Sequence, residues 1–215
     1  EKAIDFIKNQ MKEKTYLGHN GIFVTEEEYS EFVKSLRDDG TLKEIASIWF
    51  GKNDSRKTLK DYTALPAVNG TIRMAADTSA VPFVYVKNNQ IVGYDIDIAS
   101  RFCEAKGYGL EVVLMAFTGL IPSVNTGKCD FSCSMTVTPE RAESVLFSAT
   151  PSATSGSRIL VRKADLKAAP SGEHLPFAEM FGKKIGVETG ALSAQLIAEK
   201  IPTAHIEYFE ALTDA

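Results

Sequence analysis

From Thr71 onward the chain alternates between short runs of strand-forming residues and segments with helical spacing, and this alternation restricts the fold more than any other feature. TIRMAAD reads as a strand, and FVYVKNNQIVGY as a hairpin turning at Asn88 and Asn89. DIDIASRFCEAKGY reads as a helix burying Ile98, Ala99, Phe102 and Cys103, with Asp95 as its cap. GLEVVLMAF is expected as a strand, GLIPSVNTGK as a short helix and CDFSCSMTV as a further strand, with ERAESVLFS and GSRILVRK completing the block. After a Pro- and Gly-containing stretch from Lys167 to Pro176 comes a strand–helix–strand unit, KKIGVETG, ALSAQLIAEK and AHIEYFE. The pattern predicts an α/β fold with mainly parallel sheets, whose ligands sit beyond the carboxyl ends of the strands.

The text before Thr71 differs. Residues 3–14 read as a helix and GIFVT as a short strand. EEEYSEFVKSLRDDG sets Tyr29, Phe32, Val33 and Leu36 on one helical stripe that stops at Gly40. TLKEIASIWFG groups Leu42, Ile45, Ala46 and Trp49. Residues 52–70, charged and carrying Pro66 and Gly70, read as a connection and not a core element.

One segment points to chemistry. In SMTVTPER, Thr138 and Pro139 fit the N-cap and first residue of a helix, just ahead of Arg141. A guanidinium there can fork onto a small carboxylate through two charge-assisted bonds. The same letters are also an ordinary helix start whose arginine pairs with a surface carboxylate. A net charge of -4 and a pI near 5.5 argue against a nucleic-acid surface. No apolar run approaches the roughly 20 residues of a membrane span. The chain opens in helical text without a methionine and is read as a piece of a longer protein. Cys103, Cys129 and Cys133 lack metal-site spacing; a Cys103–Cys129 disulfide and buried free thiols are both open. His19, His174 and His205 are scattered, and no metal or catalytic set is expected.

The stretches GTIRMAADTSAVPFVYVKNNQIVGYDIDIASRFCEAKGY, GLIPSVNTGKCDF, SMTVTPERAESVLFS and GKKIGVETG together resemble the extracellular solute-binding proteins of polar amino-acid ABC transporters. The resemblance implies a periplasmic-binding-protein-like type II fold of two α/β lobes. Residues 26–163, including the linker 52–70, would form the first lobe; 1–25 and 164–215 would form a partial second lobe drawn from both chain ends. The order is unusual, because a phrase like DGTLKEIASIWFG closes such domains and here precedes the opening strand. A permuted single module and a slice through tandem modules both fit.

The resemblance also implies a site. Arg141, Thr136 and backbone groups near Ser134 would hold the α-carboxylate of an amino-acid-like ligand. Phe83 would form a wall or pack in the core, and Thr189, Gly190 and Ser193 would close from the second lobe. Asp95 and Asp97 would cap the GYDIDIA helix. Glu188 and Glu140 would be cap or surface groups. The chain departs from the family at Ala80, at Ser152 and Ala153, and at Ala191 and Leu192, where aromatic or hydroxyl residues are usual. A wider or more polar pocket is the expectation. The implied function is extracytoplasmic capture of a small carboxylate solute by clamshell closure. Delivery would be to an ABC permease, in the same polypeptide or a separate one, by a monomer with no cofactor, no metal and no catalysis. A sensing or degenerate binding module and a dehydratase-type enzyme are the alternatives.

Overall fold

The structure, a computed structural model, describes residues 16–17, 24–151, 159–162 and 177–214. The helix expected at 3–14, most of GIFVT and half of GSRILVRK lie outside the described residues, as does the lobe boundary expected at 163/164. The chain divides into two compact units, Glu1–Ala153 and Thr154–Ala215.

The first unit is organised by a three-stranded parallel sheet in which β3 (Thr71–Ala76) lies between β6 (Gly109–Leu114) and β7 (Phe131–Ser132). The alternation along β3 sends Ile72, Met74 and Ala76 into one core with Ala99, Phe102, Cys103 and Leu110, while Ala75 meets Leu120 and Cys129 on the other face. Cys103 and Cys129 therefore lie on opposite faces of the sheet, and all three cysteines are free. Earlier in the chain, β1 (Tyr16–Leu17) pairs antiparallel with β2 (Val24–Thr25). The hairpin of β4 (Tyr85–Lys87) and β5 (Gln90–Val92) turns at Asn88 and Asn89, both with positive φ, as a tight two-residue turn requires.

The helix pair ahead of the sheet belongs to the same core. Helix α1 (Glu26–Asp38) opens with a capping box: the Glu28 amide donates to Thr25 Oγ1 at 3.1 Å and the Thr25 amide to Glu28 Oε2 at 3.0 Å. Gly40, at φ 84°, separates it from α2 (Thr41–Trp49). Val33, Leu36, Leu42, Ile45 and Trp49 pack on Val92, Tyr94 and Ile98, and the Trp49 indole donates to Asp97 Oδ2 at 2.8 Å. Burying each such side chain contributes on the order of 1.5–3 kcal/mol.

Three expectations are corrected. The stretch 52–70 is more than a connection: Tyr62 is buried in the sheet core, and Leu59 and Leu65 pack against it. Leu59, Tyr62 and Leu65, spaced three apart, face inward from a segment whose other residues are mostly exposed. Asp95 does not cap α3 (Tyr94–Lys106); Gly93 does, at φ 141°. The Tyr94 and Asp95 amides already donate to the Pro82 and Phe83 carbonyls at 3.0 and 3.1 Å, so the first turn needs no side-chain cap. A Cβ on Gly93 would stand 2.0 Å from the Phe83 carbonyl oxygen, so the backbones approach as only glycine allows. Finally, the strand expected over CDFSCSMTV is confined to Phe131–Ser132, because Ser134, at φ 56°, turns the chain out of the sheet.

The short helix α4 (Leu120–Asn125) covers the second sheet face. In the second unit, β8 (Lys184–Glu188) and β9 (His205–Phe209) pair in parallel across the helix that joins them (Leu192–Lys200), over a core of Ile185, Val187, Ile197 and Ile201. Parallel pairing in both units bears out the α/β class.

Candidate functional site

The carboxyl ends of β3 and β7 and the first turn of α3 converge in the first unit. Beyond β3, Asp77 is buried and its Oδ1 accepts from the Ser79 amide at 2.7 Å. Beyond β7, the Ser134 hydroxyl donates to Asp95 Oδ2 at 2.6 Å and lies 3.8 Å from Cys133 Sγ. Burial pushes the Asp95 carboxyl up to about 6, against the hydrogen bonds from Ser134 and Cys133 that favour its charged form. Burial likewise raises the Cys133 thiol, with the Asp95 charge adding to it, and raises the Tyr29 phenol.

Thr138 caps the four-residue helix α5 (Pro139–Ala142), its hydroxyl accepting from the Arg141 amide at 3.2 Å with Pro139 in the first position. The sequence anticipates both roles. The Arg141 guanidinium lies 5.3 Å from the centre of the Phe117 ring, and its Nη1 donates to the Thr136 carbonyl at 2.8 Å. Partial burial lowers its pKa from the ordinary arginine value, the neighbouring Glu140 charge opposing this; a guanidinium stays charged under such a shift. A position over an aromatic ring together with a bond to a backbone carbonyl restrains the cation. A guanidinium so restrained is a chemically suitable group for bidentate capture of a carboxylate.

Ser134, Thr136 and Arg141 are thus brought together, and Phe83 adjoins them through its carbonyl, which accepts from the Asp95 amide. The Phe83 ring itself is half-buried and packs edge-on against Phe50 at 5.3 Å and Tyr94 at 6.1 Å. Its packing role is the one the geometry displays. Asp97 is engaged inside the fold, accepting from Trp49 and from Arg101 Nε at 2.6 Å.

Within the second unit, Thr189 uses both donors on one acceptor: its amide and hydroxyl bond the Phe209 carbonyl at 2.8 and 2.9 Å, extending the β8–β9 ladder. Gly190 takes φ 80°, and Ser193 is the second residue of α6 (Leu192–Lys200), whose N-cap Ala191 supplies no side-chain acceptor. Glu188 is buried and accepts from the Leu212 amide at 3.2 Å, a capping role inside the unit. The sequence reading missed Phe117 and the Asp95–Ser134 bond. Phe117 follows β6 at its carboxyl end, which is the signal that could have singled it out.

Residues 72–205 match the bacterial extracellular solute-binding proteins, family 3. The chain belongs to that family. As a family 3 solute-binding protein it is 32% identical over 159 residues to ABC transporter arginine-binding protein 1 of Escherichia coli, covering 73% of this chain and 62% of that protein. It is 29% identical over 143 residues to the L-arginine-binding protein of Pseudomonas aeruginosa, covering 66% of this chain and 52% of that protein. The chain therefore spans between half and two thirds of these curated relatives. Among solved structures it is similar to an ancestral amino acid-binding protein described as a precursor of cyclohexadienyl dehydratase. The TM-score is 0.59 at 36% identity, over 68% of this chain and 64% of that one. The fold is a partial two-lobe type II solute-binding fold. The family match begins at residue 72, yet the helix pair before it packs on the matched α3. No helix among the described residues is long and apolar enough to cross a membrane.

Proposed function

We propose that this chain binds the carboxylate of an amino acid through the Ser134–Arg141 segment, outside the cytoplasmic membrane, for delivery to an ABC permease. The observation that carries the reading is Arg141, stacked on Phe117 and tied to the Thr136 carbonyl within the segment that matches the family. Backbone groups at Ser134 and Thr136 would complete the carboxylate cradle. The second unit would contribute through Gly190 and Ser193, since the Thr189 donors are committed to Phe209. Residues 1–25 would join 164–215 in the second lobe, in a permuted or tandem arrangement. Closure of the two lobes around the ligand would be the state that the permease recognises. Two relatives named for arginine make L-arginine the first ligand to test.

Isothermal titration of the purified chain with L-arginine and the other standard amino acids tests this reading. Arg141→Ala should weaken the ligand that binds by at least about 2 kcal/mol, some thirtyfold, because charge-assisted bonds contribute about 1.5–3 kcal/mol. Unchanged affinity would remove Arg141 from the site.

A further inference from the structure

We infer that Asp95 is a positioning residue for the binding segment: from the first turn of α3 its carboxylate holds Ser134 in the left-handed conformation that sets the course of the chain to Arg141. The functional consequence rests on the reading of Ser134–Arg141 as the carboxylate site; the geometry does not.

Ser134 sits at φ 56°, a conformation that a side chain other than glycine's adopts reluctantly and keeps only where its surroundings impose it. What holds it here is the Asp95 carboxylate, through the 2.6 Å bond from the Ser134 hydroxyl to Oδ2 and a further bond from the Ser134 backbone. Asp95 is itself fixed, with its amide on the Phe83 carbonyl and its side chain only 8% exposed. Two residues beyond Ser134, the Thr136 carbonyl receives the Arg141 guanidinium, so the direction given at Ser134 passes to the cation.

The choice of a carboxylate for this task is informative. Among the described residues no ion pair to Asp95 is present. A buried carboxylate without a cation weakens a fold and is retained where it does something that a neutral side chain does not. The titratable groups around it are Tyr29 from α1, Tyr94 on its own helix and Cys133 beyond β7, with Asp77 acting in turn on Cys133. None of these brings a positive charge. Burial raises the Asp95 carboxyl to about 6, so the acceptor is charged and strongest at neutral pH and weakens on acidification. The order of the Ser134–Arg141 segment should follow that titration.

The test is amide hydrogen exchange of the whole, ligand-free chain at pH 7.5. Asp95→Ala should raise exchange across 134–141 at least tenfold while β6 and β8 keep their protection, and Asp95→Asn, which preserves an acceptor of the same shape but not its charge, should recover only part of it. Ser134→Gly tolerates the positive φ but lacks the hydroxyl, and should loosen the same segment even if Asp95→Ala fails to fold. In the wild type, protection of 134–141, corrected for intrinsic rates, should fall several-fold between pH 7.5 and 5 and stay level in Asp95→Asn. Unchanged protection in Asp95→Ala and Ser134→Gly, or an equal loss throughout the first unit, would overturn the inference. Titration of the same proteins with L-arginine separates the two readings. Binding by the wild type with exchange unaffected by the substitutions would sink the inference and leave the proposed function standing. Exchange that responds as described, without binding of any amino acid, would do the reverse.

Discussion

Replacing Asp97 by alanine would strand the indole N–H of Trp49 in the core between α2 and α3. Trp49 is fully buried and Asp97 is 4% exposed, so water cannot replace the lost acceptor. An unpaired buried donor costs about 1–3 kcal/mol. The ion pair with Arg101 adds little, under about 1 kcal/mol, because the arginine side chain is 45% exposed and screened by solvent. The expected loss is about 3 kcal/mol. Asp97→Asn keeps an oxygen for the indole and gives up only the charge, so its expected loss is about 1 kcal/mol. Urea unfolding followed by the fluorescence of the single tryptophan, with circular dichroism as a second probe, measures both. Equal losses in the two variants, within about 0.5 kcal/mol, would show that the indole bond does not hold the helix pair to α3.

Gly93→Ala should lower stability by at least about 3 kcal/mol in the same urea assay, since a Cβ there meets the Phe83 carbonyl at 2.0 Å and φ is 141°. Protonation weakens the Asp95 bond to Ser134 but relieves the burial of the charge, which is the larger effect on the whole fold: the carboxyl is raised from 3.8 to about 6 in the folded state, so its contribution to global stability is fully present below about 4 and is lost as pH rises through about 6. At about 1.4 kcal/mol per unit this amounts to about 3 kcal/mol. Asp39, Asp54 and Asp61 are lowered by hydrogen bonds from Thr41, Lys57 and Thr63 and act in the opposite direction, so the wild type must be compared with Asp95→Asn, in which the slope between pH 4 and 6 should change. The Cys103 and Cys129 thiols should react with a disulfide reagent only on unfolding, and a reducing agent should leave the melting temperature unchanged, because both are buried, on opposite sheet faces.

Much of the fold is legible in particular residues. The Asn88–Asn89 turn, the Thr138–Pro139 helix start and the stripe of Val33, Leu36, Ile45 and Trp49 are local patterns, and local geometry alone produces them. The elements that misled were those whose partners lie far off in the chain. Tyr62 reads as linker because its neighbours are charged, and it is buried because β3 and α3 leave a place for it. Asp95 reads as a cap because acidic residues favour a first turn, but carbonyls at 82 and 83 had already met the amides there.

The candidate site divides in the same way. Arg141 and its helix start could be read from eight consecutive residues, because capping and charge are local. The Phe117 ring beneath the guanidinium and the Asp95 carboxylate beneath Ser134 belong to other elements, and only packing against the sheet brings them there. Spacing along the chain thus sets the α/β class, the helix pair, the tight turns and the cation of the candidate site. The tertiary structure decided which carboxylate is buried, which aromatic ring orients the cation and which donors are already spent, because each depends on the approach of segments separated by dozens of residues.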